Sequence, residues 1–147
     1  MLPAELDSVL SRCLGEASFP GVVSAYLSGS QAEGRAHRES DVDVGALLDP
    51  RTYPTERDRF ELRLRLGSCL EASLGGRMAD LVVLNDAPPG LGRHIVTSGR
   101  RVHCANPDLD HAFVRDVQLR AGVLAHANAP GREGGRPSHP GARVRLL

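Results

Sequence analysis

Short apolar runs alternate with amphipathic segments along most of this 147-residue chain. The run at 22–27 is short, apolar and partly β-branched, and apolar residues alternate with Asp and Gly at the start of 41–48, so both segments are predicted to be strands. Apolar residues recur at helical spacing within 54–74. Alternating strands and helices favour one small sheet covered by helices. The predicted helices span 3–16, 54–74, 91–98 and 108–126, and the predicted strands span 22–27, 41–48, 77–84 and 100–104.

The length suits a single domain, because domains most often have about 100–150 residues. We predict an α/β (α+β) fold in which helices flank a small mixed β-sheet, with residues 1–127 forming the domain. Residues 128–147 are rich in Gly and Pro and carry more Arg than acid, which predicts a flexible basic tail.

Charge and composition exclude several classes of protein. The 18 basic and 18 acidic residues cancel and there is no Trp, which argues against direct nucleic-acid binding. All of the basic residues are Arg, so mechanisms that need a lysine are excluded. No apolar run is long enough to span a membrane, and the acidic N-terminus is not a signal peptide, which predicts a cytoplasmic protein.

The three cysteines, Cys13, Cys69 and Cys104, are far apart in the sequence and lack the C-x-x-C spacing. We expect all three to be reduced and to pack as small apolar residues. No spacing of His and Cys residues along the chain matches a zinc site.

The first chemical signal is Gly29-Ser30, which directly follows the strand predicted at 22–27. A glycine lets the backbone approach a phosphate without a Cβ clash, and a serine adds a hydroxyl donor. Free backbone N–H groups at the start of a following turn also point toward an anion. This pair therefore predicts a phosphate-binding turn.

After ten intervening residues come two carboxylates, Asp41 and Asp43. Because they are two residues apart in a predicted strand, they point to the same side, with Cα atoms roughly 6–7 Å apart. Two carboxylates so close need a counter-charge, which Mg²⁺ can supply. Such a pair can bridge two metal ions, the arrangement used in phosphoryl and nucleotidyl transfer.

A third acid, Asp80, lies early in an otherwise apolar predicted strand. A carboxylate in such a strand needs a partner, because unpaired burial is costly. If its strand lies beside 41–48, Asp80 completes a three-acid cluster, where it could bind the second metal ion and accept the proton of an attacking hydroxyl.

These motifs resemble the minimal nucleotidyltransferase (MNT) family of the DNA polymerase β-like superfamily. The resemblance rests on Gly29-Ser30, the segment 40–43 (Ser-Asp-Val-Asp) and the segment 79–84 (Ala-Asp-Leu-Val-Val-Leu), and it extends over about residues 20–104. It implies the polymerase β-like nucleotidyltransferase fold.

Carried over to this chain, the resemblance implies that Asp41, Asp43 and Asp80 are catalytic and hold two Mg²⁺ ions, with ATP as substrate. It also implies that Gly29 and Ser30 bind the β- and γ-phosphates. The family commonly has an Arg before the glycine that matches Gly34. In this chain Glu33 precedes Gly34. We predict that Arg35, which follows Gly34, takes the role of the family's arginine.

Small MNT proteins are similar to antitoxins whose partner toxin is a HEPN ribonuclease. The resemblance implies that this chain transfers AMP from ATP to a tyrosine of such a toxin. Two alternatives stay open: transfer to the hydroxyl of a small molecule, and a non-catalytic antitoxin that acts by occluding its partner.

Overall fold

The computed structural model describes residues 3–28 and 42–128. All eight predicted elements are present, with ends that differ from the predictions by at most two residues. In chain order they are α1 (Pro3–Leu14), β1 (Val22–Ser28), β2 (Val42–Leu48), α2 (Glu56–Ser73), β3 (Ala79–Val83), α3 (Pro89–Ser98), β4 (Arg100–Cys104) and α4 (Pro107–Asn128).

Local interactions explain where α2 begins and where β3 ends. Thr55 caps α2: its hydroxyl accepts a hydrogen bond from the Asp58 N–H (3.0 Å), and the Asp58 carboxylate accepts one from the Thr55 N–H (3.3 Å). This reciprocal capping box makes Glu56 the first helical residue. β3 ends at Val83 because Leu84 opens a single 3-10 turn.

The strands form a four-stranded mixed sheet in the order β3-β2-β1-β4, which confirms the predicted fold class. β1 is antiparallel to both β2 and β4, whereas β2 and β3 are parallel. The C-terminal end of β1 therefore meets the N-terminal ends of β2, β3 and β4 along one edge of the sheet. We call this the site edge, because the predicted motifs lie along it.

Two helices cover each face of the sheet. α1 and α2 pack on the first face, where a continuous apolar core includes Leu10, Leu66 and Val44. α3 and α4 cover the second face with a smaller cluster, which includes Leu47 of β2 and Ile95 of α3. Because side chains alternate along a strand, β1, β2 and β3 contribute to both cores.

Gly45 of β2 lies where α3 approaches the sheet most closely. A Cβ atom at this position would be 2.9 Å from Cγ2 of Ile95 and 3.2 Å from Cδ2 of Leu84. The glycine therefore lets this part of α3 pack directly against the backbone of β2.

The expectation of three reduced cysteines is wrong for two of them. Cys13 of α1 and Cys69 of α2 form a disulfide, with their Cα atoms 6.8 Å apart, while Cys104 is free. The sequence separation of 56 hid the proximity of the paired cysteines, which exists only because α1 and α2 pack side by side on the first face.

Candidate active site

The phosphate-binding turn predicted at Gly29-Ser30 would begin at the site edge. β1 ends at Ser28, which pairs with Asp43 of β2. The Ser28 hydroxyl donates a hydrogen bond to the Asp43 carbonyl oxygen over 3.4 Å. The last residue of β1 therefore lies directly beside Asp43.

Asp43 and Asp80 lie opposite one another in the parallel ladder of β2 and β3. Paired residues of neighbouring strands are about 4.8 Å apart and share a face of the sheet. Both residues are half-buried. The prediction that the strand of Asp80 adjoins the strand of Asp43 is thus confirmed, and the two carboxylates share one face of the site edge.

The face is identified by the neighbours of the two acids in their own strands. Leu47 and Val82, which alternate in phase with Asp43 and Asp80, pack in the cluster under α3 and α4. The acids therefore belong to the second face, at the end of the sheet where β2 and β3 begin.

Two adjacent carboxylates suit a hard divalent cation, because Mg²⁺ takes oxygen ligands and commonly binds one or two protein carboxylates beside phosphate oxygens. Among the side chains that the structure describes, no group of three His, Cys, Asp or Glu residues is placed to hold a metal ion. The remaining predicted metal ligand, Asp41, lies outside the described residues, as do Gly29, Ser30 and Arg35. The catalytic and binding roles of all six residues stay predictions.

Sequence reasoning missed a buried polar network on the same face, centred on Asp110 of α4. Asp110 is only 3% exposed. Its Oδ1 accepts hydrogen bonds from the hydroxyls of Ser24 (2.6 Å) and Tyr26 (2.7 Å), and its Oδ2 accepts one from Arg101 (2.9 Å). The network ties α4 to β1 and β4.

The network shifts the pKa values of its members in opposite directions. Burial raises the pKa of Asp110, but hydrogen bonds from Ser24, Tyr26 and Arg101 outweigh it and leave the pKa below its ordinary value. Burial, followed by the hydrogen bond to Asp110, raises the pKa of Tyr26 well above its ordinary value. Tyr26 therefore stays protonated and donates to an ionised carboxylate.

One signal in the sequence could have revealed this network. Asp110 lies four residues before Val114 and seven before Val117, on the stripe of α4 that faces the protein. An acid on such a stripe must have partners, because an unpaired buried charge is costly.

Comparison with known proteins agrees with this geometry. The family model described as "Polymerase beta, Nucleotidyltransferase" matches residues 17–108, which include β1 to β4 with Asp43 and Asp80. This chain belongs to that nucleotidyltransferase family. Among the described residues, no helix is long and apolar enough to cross a membrane.

A curated relative, the protein adenylyltransferase MntA of Shewanella oneidensis, is 30% identical over 112 residues, which is 76% of each chain. Two solved structures share the fold. A toxin–antitoxin crystal structure with AMP-PNP has a TM-score of 0.62 at 24% identity, covering 88% of this chain and 94% of the other. A Shewanella oneidensis complex of tri-AMPylated HEPN toxin with MNT antitoxin also has a TM-score of 0.62, at 20% identity, covering 87% and 93%.

Proposed function

We propose that this chain is an antitoxin that transfers AMP from ATP to a tyrosine of a partner HEPN-type ribonuclease toxin, in the cytoplasm. The observation that carries the proposal is the pairing of Asp43 with Asp80 at the edge where β1 leads into Gly29-Ser30. A relative that is named a protein adenylyltransferase supports the choice of AMP as the transferred group. Solved complexes of MNT antitoxin and HEPN toxin support the choice of partner.

In this proposal Asp41, Asp43 and Asp80 hold two Mg²⁺ ions, and Gly29 and Ser30 hold the β- and γ-phosphates of ATP. When bound, Mg²⁺ would neutralise phosphate charge and stabilise the departing pyrophosphate. Arg35 adds a positive charge near the triphosphate, whereas the negative charge of Glu33 would repel the phosphates.

Asp80 has a second role in the proposed reaction, as the proton acceptor. The phenolic oxygen of the acceptor tyrosine forms a bond to the α-phosphorus of ATP, and the bond from that phosphorus to the bridging oxygen breaks. Pyrophosphate leaves with the bonding electrons, and the phenolic proton passes to the Asp80 carboxylate. The products are AMP-tyrosine and pyrophosphate.

The test is transfer of label from [α-³²P]ATP to candidate HEPN-type partner proteins. We expect labelling by the wild-type protein, and none by Asp41→Asn or Asp43→Asn or when the acceptor tyrosine is replaced by Phe. Labelling of a small alcohol without a protein acceptor would instead support the small-molecule alternative. Neutralisation of the toxin that survives both Asp substitutions would support occlusion.

A further inference from the structure

The end of α3 lies close to Asp43, on the same face of the sheet. Gly45 is two residues from Asp43 in β2, and a Cβ atom there would be 2.9 Å from Cγ2 of Ile95. The residue that caps the end of α3, Gly99, follows four residues after Ile95, and a Cβ atom at Gly99 would be 2.9 Å from the carbonyl oxygen of Leu27. Leu27 is the last residue but one of β1. The last turn of α3 is therefore directed toward the site edge.

Helix geometry determines which side chains share each flank of α3. Successive residues of a helix are about 100° apart, so residues four apart lie on the same side. Gly92 and Val96 share the flank that faces α4, because a Cβ atom at Gly92 would be 3.7 Å from both methyl groups of Val117. His94 and Ser98 share the opposite flank, and both are exposed.

The position of α4 shows where this opposite flank points. Asp110 of α4 accepts hydrogen bonds from Ser24 and Tyr26, which precede the last residue of β1, Ser28, by four and two positions. α4 therefore lies over the part of β1 that is away from the site edge. The flank of α3 that is turned away from α4 faces the site edge, where Asp43 lies on the same face of the sheet.

His94 and Ser98 form a polar pair on this flank, with the Ser98 hydroxyl oxygen 3.4 Å from Nδ1 of His94. A hydroxyl and an imidazole can each donate or accept a hydrogen bond. The last C=O groups of a helix lack intrahelical partners and carry partial negative charge. Such a surface suits the hydroxyls of a ligand better than its phosphates, because a hydroxyl both donates and accepts, whereas an ionised phosphate only accepts and is itself negative.

We propose that His94 and Ser98, which we call the ribose pair, bind the 2′- and 3′-hydroxyls of the nucleotide and so select ribonucleotides. The inference rests on the proposed function and adds to it the residues that bind the sugar. The reacting α-phosphate lies at the cations that Asp43 and Asp80 hold, and the ribose is joined to that phosphate through its 5′ oxygen. The sugar is therefore close to the two acids, where the ribose pair flanks their face of the sheet.

The test compares equilibrium binding of ATP and of 2′,3′-dideoxy-ATP, which lacks both hydroxyls, to the full-length protein with Mg²⁺. Isothermal titration calorimetry measures Kd without any acceptor. The wild-type Kd for dideoxy-ATP should be about tenfold higher than that for ATP, because two hydrogen bonds are lost. The double variant His94→Ala/Ser98→Ala should bind ATP about tenfold more weakly than wild type does, and it should bind the two nucleotides equally.

Two variants serve as controls. Ser98→Thr keeps the hydroxyl and should keep the wild-type ratio of the two Kd values to within about twofold. Thr97→Ala removes the hydroxyl of the neighbouring exposed residue, which lies about 200° around the helix from Ile95 and so points away from the sheet. Both Kd values should therefore stay at their wild-type levels in Thr97→Ala.

The outcomes separate the inference from the proposed function. Equal binding of the two nucleotides by wild type, a wild-type Kd ratio in the double variant, or loss of that ratio in Thr97→Ala would overturn the ribose pair alone. A wild-type protein that prefers ATP as expected but labels no protein acceptor would keep the ribose pair and overturn the antitoxin role. A wild-type protein that does not bind ATP would overturn both.

Discussion

The two faces of the sheet bury different kinds of side chain. Under α1 and α2 the first face is an apolar core, in which Leu10, Leu66 and Leu70 are fully buried. The second face has a smaller apolar cluster and also carries acids, with Asp110 enclosed by α4 and Asp43 and Asp80 at the site edge.

Because of this difference, the large apolar core lies on one face of the sheet and the proposed reacting groups lie on the other. The first face can contribute stability without constraining the site, because its side chains point away from the proposed reacting groups. On the second face, Asp110 has three fixed donors within the chain. Asp43 and Asp80 lie beside one another, an arrangement that suits a cation between them.

The largest effect should come from the acids of the site edge. Asp80→Asn should lower kcat for AMP transfer about 10³-fold, because it removes the proton acceptor and a metal ligand. The midpoint of urea unfolding should stay close to wild type. Single-turnover transfer from [α-³²P]ATP measures the rate, and a variant that retains the wild-type rate would remove Asp80 from the mechanism.

On the first face we expect a loss of stability without a loss of activity. Leu66 of this face is 0% exposed. Leu66→Ala should lower the free energy of unfolding by about 3 kcal/mol, because it removes buried apolar area and leaves a cavity. AMP transfer per folded molecule should not change. Urea unfolding measures the loss, with Leu119→Ala as the exposed control, expected within about 0.5 kcal/mol of wild type. If the variant loses activity although it is fully folded, the first face does constrain the site.

Asp110 tests whether the enclosed acid on the second face is structural. Asp110→Ala should cost about 2–3 kcal/mol, because it leaves the buried hydroxyls of Ser24 and Tyr26 without their acceptor. Nucleotide transfer should fall far less than in Asp80→Asn. A fall in kcat as large as that of Asp80→Asn, with folding intact, would instead assign Asp110 to the chemistry.

The same residue predicts a pH dependence. The folded-state pKa of Asp110 is lowered, so its contribution to stability is present above the ordinary carboxyl pKa of about 3.9. That contribution is lost as the pH falls through the lower folded-state value. Asp110→Asn should therefore lose less stability than wild type on acidification below about pH 4. Urea unfolding at a series of pH values measures this, and parallel curves for the two proteins would contradict it.

The smallest effect is expected at Gly45, where α3 meets β2. Gly45→Ala should cost about 1–2 kcal/mol, because the new methyl group would lie 2.9 Å from Ile95 Cγ2. Adding Ile95→Ala should relieve the clash. The double variant should therefore lose less stability than the sum of the losses in the two single variants. Gly67→Ala is the matched control, since nothing lies within 4 Å of a Cβ atom there. Additive costs would mean that α3 does not touch this position.

The secondary structure was largely predictable because its signals are local. β-Branched runs, helical spacing of leucines and Gly75-Gly76 after α2 mark the elements to within two residues. The position of Asp80 in a strand was predictable in the same way.

What the sequence could not predict depends on which elements lie side by side. The pairing of Cys13 with Cys69 and the contacts of Asp110 with Ser24 and Tyr26 join residues far apart in the chain.

The amino-acid sequence by itself determined the order of the elements and the residue types of the candidate site: a Gly-Ser pair, then two carboxylates, then a third in a later strand. These features follow from short-range periodicity and residue chemistry. Only the tertiary structure decided that Asp43 stands opposite Asp80, because register is a property of two paired strands and not of either one.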